Sequence, residues 1–312
     1  MSDTATGQIL SLGGGGNVGI GETSPETLLE LSSTIPYQTL HNTTHEDTDG
    51  GRESRINFKG EQSGGEETTL ARIEVSHDGA VDDEKGKIVF STNDGSDTDT
   101  PTPRVTIDSA GITKIGDGGT TNYTAIDSGG FMEAKGSAIA YKDINMAGYL
   151  LGKPASSAPG IVTFVDENGA DTTIETYGFA VDEKVHGGFE LQHDYVEGTD
   201  LVFHVRWQGI TAPTGTDNVQ WRLNYILMRD GTTLNAAVAI DSPDTAFDTQ
   251  YESVRTDFAA ITGTNFLIGD QFMFTLTRVA STGDAYAGEA LIATAGIHYQ
   301  VNTIGSRAIT SK

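Results

Sequence analysis

The 312-residue chain has no cysteine, so it can build neither a disulfide framework nor a thiolate metal site. No apolar run approaches the roughly 20 residues with which a helix crosses a bilayer. The opening MSDTATGQIL lacks both a basic n-region and an apolar h-region, so neither an export signal nor membrane insertion is expected. Basic residues are scarce, 19 Lys and Arg against 44 Asp and Glu, for a formal net charge of −25. Affinity for nucleic acid and anionic membranes comes largely from neutralised phosphates, and no nucleic-acid partner is expected of such a chain. Long amphipathic helical patterns are missing as well.

Glycine is plentiful, at 39 residues, and Thr, Ser, Asp and Asn cluster every ~8–12 residues, the rhythm of short strands and turns. The expected fold class is all-β. From Ile161 onward, strand signals recur at 161–165, 173–180, 187–192, 201–209, 219–228, 235–240, 252–261, 271–279 and 291–301. Eight or nine antiparallel strands in about 150 residues suit a jelly-roll-like β-sandwich. The segment Phe189 to Gly209 reads as a hairpin. Its second strand sets Leu201, Phe203, Val205 and Trp207 on one face and Val202, His204, Arg206 and Gln208 on the other. Trp221, Leu223, Tyr225 and Leu227 form a second apolar face of period two.

The N-terminal half is different. Arg55 to Lys59, Leu70 to Gly79, Gly86 to Asn93 and Arg104 to Asp108 read as short strands between long polar turns. Such strands bury little apolar surface at roughly 25 cal/mol per Å², so this half is expected to be completed by neighbouring protomers. Lys153 to Gly160 reads as a linker. The expected organisation is an N-terminal docking or flexible segment over 1–12, a Gly-rich β-shaft over 13–130, a neck over 131–160 and a C-terminal β-sandwich knob over 161–312.

Candidate chemistry is thin. The glycines at 13–16 lack the Lys and the following helix of a phosphate loop. Asp94 to Thr100 has the acidity of a Ca²⁺ loop without its alternation, central Gly or final Glu; no cofactor is expected beyond a structural divalent cation there. His41, His45 and His77 lie in polar loops without ligand spacing and are expected at the surface. His193, Asp194, His204 and Arg206 could supply a base, an orienter and a cation. No nucleophile elbow, tight carboxylate pair or metal spacing accompanies them, and the expectation is no enzyme, no catalytic residue and no metal ligand. His298, with Tyr299 and Arg307, reads as a polar position on a terminal strand.

Several motifs carry a resemblance. Gly16-Asn17-Val18-Gly19-Ile20-Gly21-Glu22-Thr23-Ser24-Pro25 resembles a motif of bacteriophage tail-fibre and tail-spike shafts. The junction Thr121-Asn122-Tyr123-Thr124 to Ile144 resembles the neck of such proteins. His193-Asp194-Tyr195 followed by Glu197-Gly198-Thr199-Asp200-Leu201, the segment 284–290 and the ending 297–307 resemble their C-terminal β-domain. The resemblance implies a virion fibre: a homotrimer with a fibrous, intertwined shaft and a tumour-necrosis-factor-like knob. Val18 and Ile20 would be shaft contacts, with the alternating glycines letting three chains approach an axis. Other virion proteins would hold the N-terminus. The knob would touch a host-surface carbohydrate or outer-membrane component through loops 211–218, 241–248 and 281–288, with Phe247 and Tyr286 stacking on a sugar. A head fibre, capsid decoration or tail-junction protein is the architectural alternative, and a virion polysaccharide hydrolase a further one.

Overall fold

The computed structural model describes residues 10–12, 16–97, 99–118, 121–215, 217–283 and 285–308. Residues 1–9 of the expected docking segment and Gly13 to Gly15 lie outside the described residues. The chain is all-β, in multiple antiparallel sheets.

A small sheet comes first, with β1 (Leu10–Leu12) antiparallel to β2 (Val18–Ile20) and β3 (Leu29–Leu31) parallel to β2. Its glycines answer to their own chain. A Cβ on Gly19 would stand 2.3 Å from the Glu22 carbonyl oxygen, and Gly21, at φ 78°, has the Ser32 carbonyl 1.9 Å from its would-be Cβ. Closure of a loop within one chain is enough by itself to require glycine at both positions. Val18 is half-buried and Ile20 exposed.

A seven-stranded antiparallel meander follows in sequence order: β4 (Ser54–Glu61), β5 (Glu67–His77), β6 (Gly86–Thr92), β7 (Thr102–Ile107), β8 (Thr113–Gly116), β9 (Tyr123–Ile126) and β10 (Met132–Lys135). The first four match the sequence reading. The last three lie where the sequence suggests turns and a junction, because each is only four residues long between Gly-rich turns.

The remaining strands form two sheets packed face to face. They are β11 (Ala140–Ala147), β12 (Gly160–Val165), β13 (Asp171–Phe179), β14 (Lys184–Glu190), β15 (Val202–Gly209), β16 (Asp217–Met228), β17 (Val238–Asp241), β18 (Thr245–Phe247), β19 (Ser253–Asp257), β20 (Gln271–Val279) and β21 (Ala290–Val301). One sheet runs β12-β13-β21-β15-β19, with β11 also paired to β21; the other runs β14-β20-β16-β17, with β18 also on β16. Phe179 meets Trp221 edge-on at 5.2 Å and Phe203 meets Phe274 at 5.1 Å, each pair joining opposite sheets. Leu201, Phe203, Val205, Trp207, Trp221 and Leu223 are buried there, as their period of two requires.

Two expectations are corrected. Phe189 to Gly209 is not a hairpin, since β14 pairs with β20 while β15 pairs with β19 and β21 in the opposite sheet. The connection holds Leu191 and Tyr195, both fully buried, which carry the chain across the end of the core instead of turning it back. The neck over 131–160 is also divided. Its first residues form β10 of the meander, and β11 runs antiparallel to β21 as part of the sandwich. The two halves are tied where the Ala134 amide donates to the Asn302 carbonyl at 2.6 Å and Arg307 pairs with Asp127 at 2.6 Å.

Candidate functional site

The first feature is a largely open apolar face, approached by Leu40 and His41 only at its Ile56–Ile73–Val75 end. Register sets Ile56, Ile73, Phe90, Val105 and Ile115 in one row across β4 to β8. Val75, Ile88, Ile107, Thr113, Ile126 and Met132 follow in the next row. The period of two places Arg55, Glu74, Val89, Thr106, Lys114, Ala125 and Glu133 on the other face, which is mainly polar. No buried residue of this sheet belongs to the hydrophobic core, which begins at Leu151. Phe58 is 50% exposed and Ile115 47%, with Ile56, Val75, Phe90 and Met132 similarly open.

The second feature is the loop end of the sandwich. The three loops expected to carry recognition do come together: Tyr286 N donates to Asn218 O at 3.0 Å, and Thr282 Oγ1 to Asp244 Oδ2 at 2.6 Å. The two aromatic residues expected to stack on a sugar are inside. Phe247 is 0% and Tyr286 2% exposed, packed edge-to-face at 4.8 Å, and Tyr286 Oη both accepts from the Thr211 amide and donates to the Thr211 carbonyl. They anchor the loops from beneath, because an aromatic ring in a sandwich loop gains more from the core than from solvent.

The third feature is a histidine–carboxylate cluster on the outer face of the six-stranded sheet. Asp143 on β11 stands opposite His298 on β21, and His204 on β15 opposite Asp257 on β19. Opposite His204 on its other side is Gly296, which has no side chain, and the His204 ring stacks on His298 at 4.3 Å and 19°. His204 is 2% exposed, and its Nδ1 has no hydrogen-bond partner among the described residues. Burial, and then the neighbouring His298 and Arg255, pull its pKa down to about 4. His298 Nδ1 bonds the Asp143 carboxylate, and its Nε2 faces Arg255 Nη2 at 2.7 Å. Arg255 also pairs with Asp257 at 2.7 Å.

The other candidates separate. His193 Nδ1 lies 2.5 Å from Ser306 Oγ. Asp194 is buried, taking Lys142 Nζ at 2.5 Å and the Tyr299 hydroxyl at 3.1 Å. Arg206 is exposed. His193, Asp194 and His204 thus have different partners. His41 and His45 are exposed as expected, but His77 is buried, its Nε2 3.0 Å from Asp83 Oδ1. In the acidic loop, Asp94 accepts from Ser96, and Asp97 from Thr102 and the Asp94 amide. These bonds to the loop itself hold both carboxyls below the usual range.

No family model and no curated protein matches the chain. Among solved structures it is similar to a chain in the structure of infectious bursal disease virus, Gx strain, at 10% identity and TM-score 0.28 over 70% of this chain. That match spans 42% of the viral chain. It is also similar to exo-beta-1,3-galactanase from Phanerochaete chrysosporium, in structures with beta-1,3-galactotriose (8% identity, TM-score 0.27) and with galactose (10%, 0.24). Each covers 78% of this chain and 68% of the galactanase chain. The expectation of no enzyme is withdrawn, since two of these three matches are to a glycoside hydrolase. Similarity at this level assigns this chain neither a reaction nor a residue to carry one.

Proposed function

We propose that the chain is a structural protein of a bacteriophage virion, a homotrimeric tail fibre whose sandwich is displayed for host-surface attachment. The observation that carries the reading is the largely uncovered apolar face of the seven-stranded sheet. A sheet with one apolar face needs a second layer, and the described residues supply only the segment around Leu40, which lines a cleft with Ile56, Ile73 and Val75 at one end of it. Strand spacing and rise give that face on the order of 600 Å². This is the same order as the roughly 800 Å² per partner of a standard stable interface. Copies of the same chain related by cyclic symmetry are the ordinary solution, and three amphipathic sheets around an axis would cover one another. The fibre motifs support the number three and the virion setting. Loops gathered at one end of a rigid sandwich suit recognition, and their exposed polar residues take the role expected of Phe247 and Tyr286.

Light scattering on the full-length protein tests the assembly. The mass should be three times that of the protomer, and Phe90→Asp or Ile115→Asp should dissociate it while Thr106→Asp on the opposite face should not. A wild-type monomer at micromolar concentration, or a trimer indifferent to both apolar-face variants, sinks the reading. Labelled trimer should bind host cells saturably and be present in few copies per virion. Hundreds of copies without cell binding would replace attachment by an architectural role.

A further inference from the structure

We propose that His204, His298 and Asp257 form a binding site for a divalent transition-metal ion of the zinc type, which Arg255 occupies as a stand-in cation and yields to the metal.

The ligand set comes from three neighbouring strands. One ligating atom from each of His204, His298 and Asp257 lies within 4.8 Å of the others. Zinc bonds of about 2.0–2.2 Å put tetrahedral ligands roughly 3.3 Å apart, so closure asks for side-chain adjustments on the order of 1 Å, which partly exposed Asp257 and His298 can make. Two imidazoles and one carboxylate select zinc, cobalt, nickel or copper over magnesium or calcium.

Three details separate this group from an ordinary surface ion pair. His298 is already oriented as a metal ligand is, with Nδ1 held by the Asp143 carboxylate and Nε2 left as the lone-pair nitrogen. His204 is buried with an unpartnered ring nitrogen. An imidazole in that state forfeits a hydrogen bond that water would have given it, and such groups call for an explanation. Finally, the Arg255 guanidinium bridges His298 Nε2 and the Asp257 carboxylate, 2.7 Å from each, the place a shared cation would take. With side-chain exposure of 35%, Arg255 can swing into solvent, and one cation then replaces another. Gly296, opposite His204, is required by the close approach of β11, where a Cβ would stand 2.3 Å from the Ile144 carbonyl oxygen. The bound metal would join β19, β15 and β21 across the outer face of the sheet.

The test is calorimetric titration of Zn²⁺ into the full-length protein dialysed against chelator, with Co²⁺ absorption reporting geometry. One ion per chain, with tetrahedral cobalt bands, is expected. Arg255→Gln should tighten binding several-fold by removing the competing cation, whereas a purely structural arginine would leave affinity unchanged or lower it. His298→Asn and the partly exposed Asp257→Asn should each weaken binding at least tenfold, and the second remains informative if a histidine variant does not fold. No binding by wild type and Arg255→Gln up to millimolar zinc overturns the proposal. So does affinity that is the same in His298→Asn and Asp257→Asn as in wild type.

Discussion

Replacing Arg278 with Met tests the account of the loop end most directly. Arg278 on β20 is 2% exposed, and no carboxylate lies within ion-pair distance of it among the described residues. Its guanidinium is spent on backbone: Nη1 donates to Phe179 O at 2.7 Å and to Gly288 O at 2.5 Å, and Nη2 donates to Tyr286 O. The same group sits 5.5 Å over the Tyr286 ring. Charge-assisted hydrogen bonds contribute about 1.5–3 kcal/mol each, so three give roughly 4.5–9 kcal/mol gross. Methionine keeps the volume of the stem and ends the desolvation of a buried cation, worth several kcal/mol. Subtracting roughly 3–4 kcal/mol for that desolvation leaves a net loss of about 1–6 kcal/mol, or roughly 2–24 °C in Tm for a domain of this size. Both tryptophans of the chain, Trp207 and Trp221, lie in this core, so urea unfolding followed by their fluorescence reads the sandwich alone. Lysine at 278 should recover part of the loss, since a point charge reaches fewer of the three carbonyls. A loss below about 1 kcal/mol for Arg278→Met would refute the claim that this side chain holds loop 281–288.

The His204 pKa of about 4 lies below the ordinary 6.5, so the unfolded chain takes up the proton first. Sandwich stability should be complete above pH 6.5 and fall by about 3 kcal/mol as the pH drops to 4. Urea midpoints at pH 7.5, 6 and 5 read this, and His204→Leu should flatten the slope; an unchanged slope would show that burial, with His298 and Arg255 beside the ring, does not hold it neutral against the pull of Asp143 and Asp257. At Gly209 a Cβ would stand 2.4 Å from Phe247 Cζ, and Phe247 is fully buried. Gly209→Ala should cost roughly 1–3 kcal/mol in thermal melts.

Period-two alternation made β15 and β16 legible, because one face of each is buried against the opposite sheet. Pairing was not legible. Val196 to Asp200 has turn chemistry, and it does turn; but Leu191 and Tyr195 are the residues that decide which sheet comes next, and a buried connection looks in sequence like the end of a strand. β11 has alternating character within what reads as a neck, and only β21, some 150 residues on, gives it a partner. The histidine cluster was hidden for the same reason. His204, Asp257 and His298 are far apart in the chain, and ligand spacing detects only sites built from one segment. Phe247 and Tyr286 were misplaced because an aromatic residue within a polar loop reads alike whether it faces a ligand or plugs the core.

β21 lies at the centre of its sheet, bonded to β15 along one edge and to β13 and β11 along the other. It is also the last of the sandwich strands to be synthesised. A growing chain can therefore form the β12–β13 hairpin and the β15–β19 pair, but it holds these two pieces apart and β11 unpaired until residues 290–301 emerge, and the sheet closes in one late step. Such a chain waits on the ribosome with open strand edges and apolar side chains uncovered. Its yield in a cell is then set by how well that interval is protected, and chaperone supply should govern expression more than the stability of the finished fold.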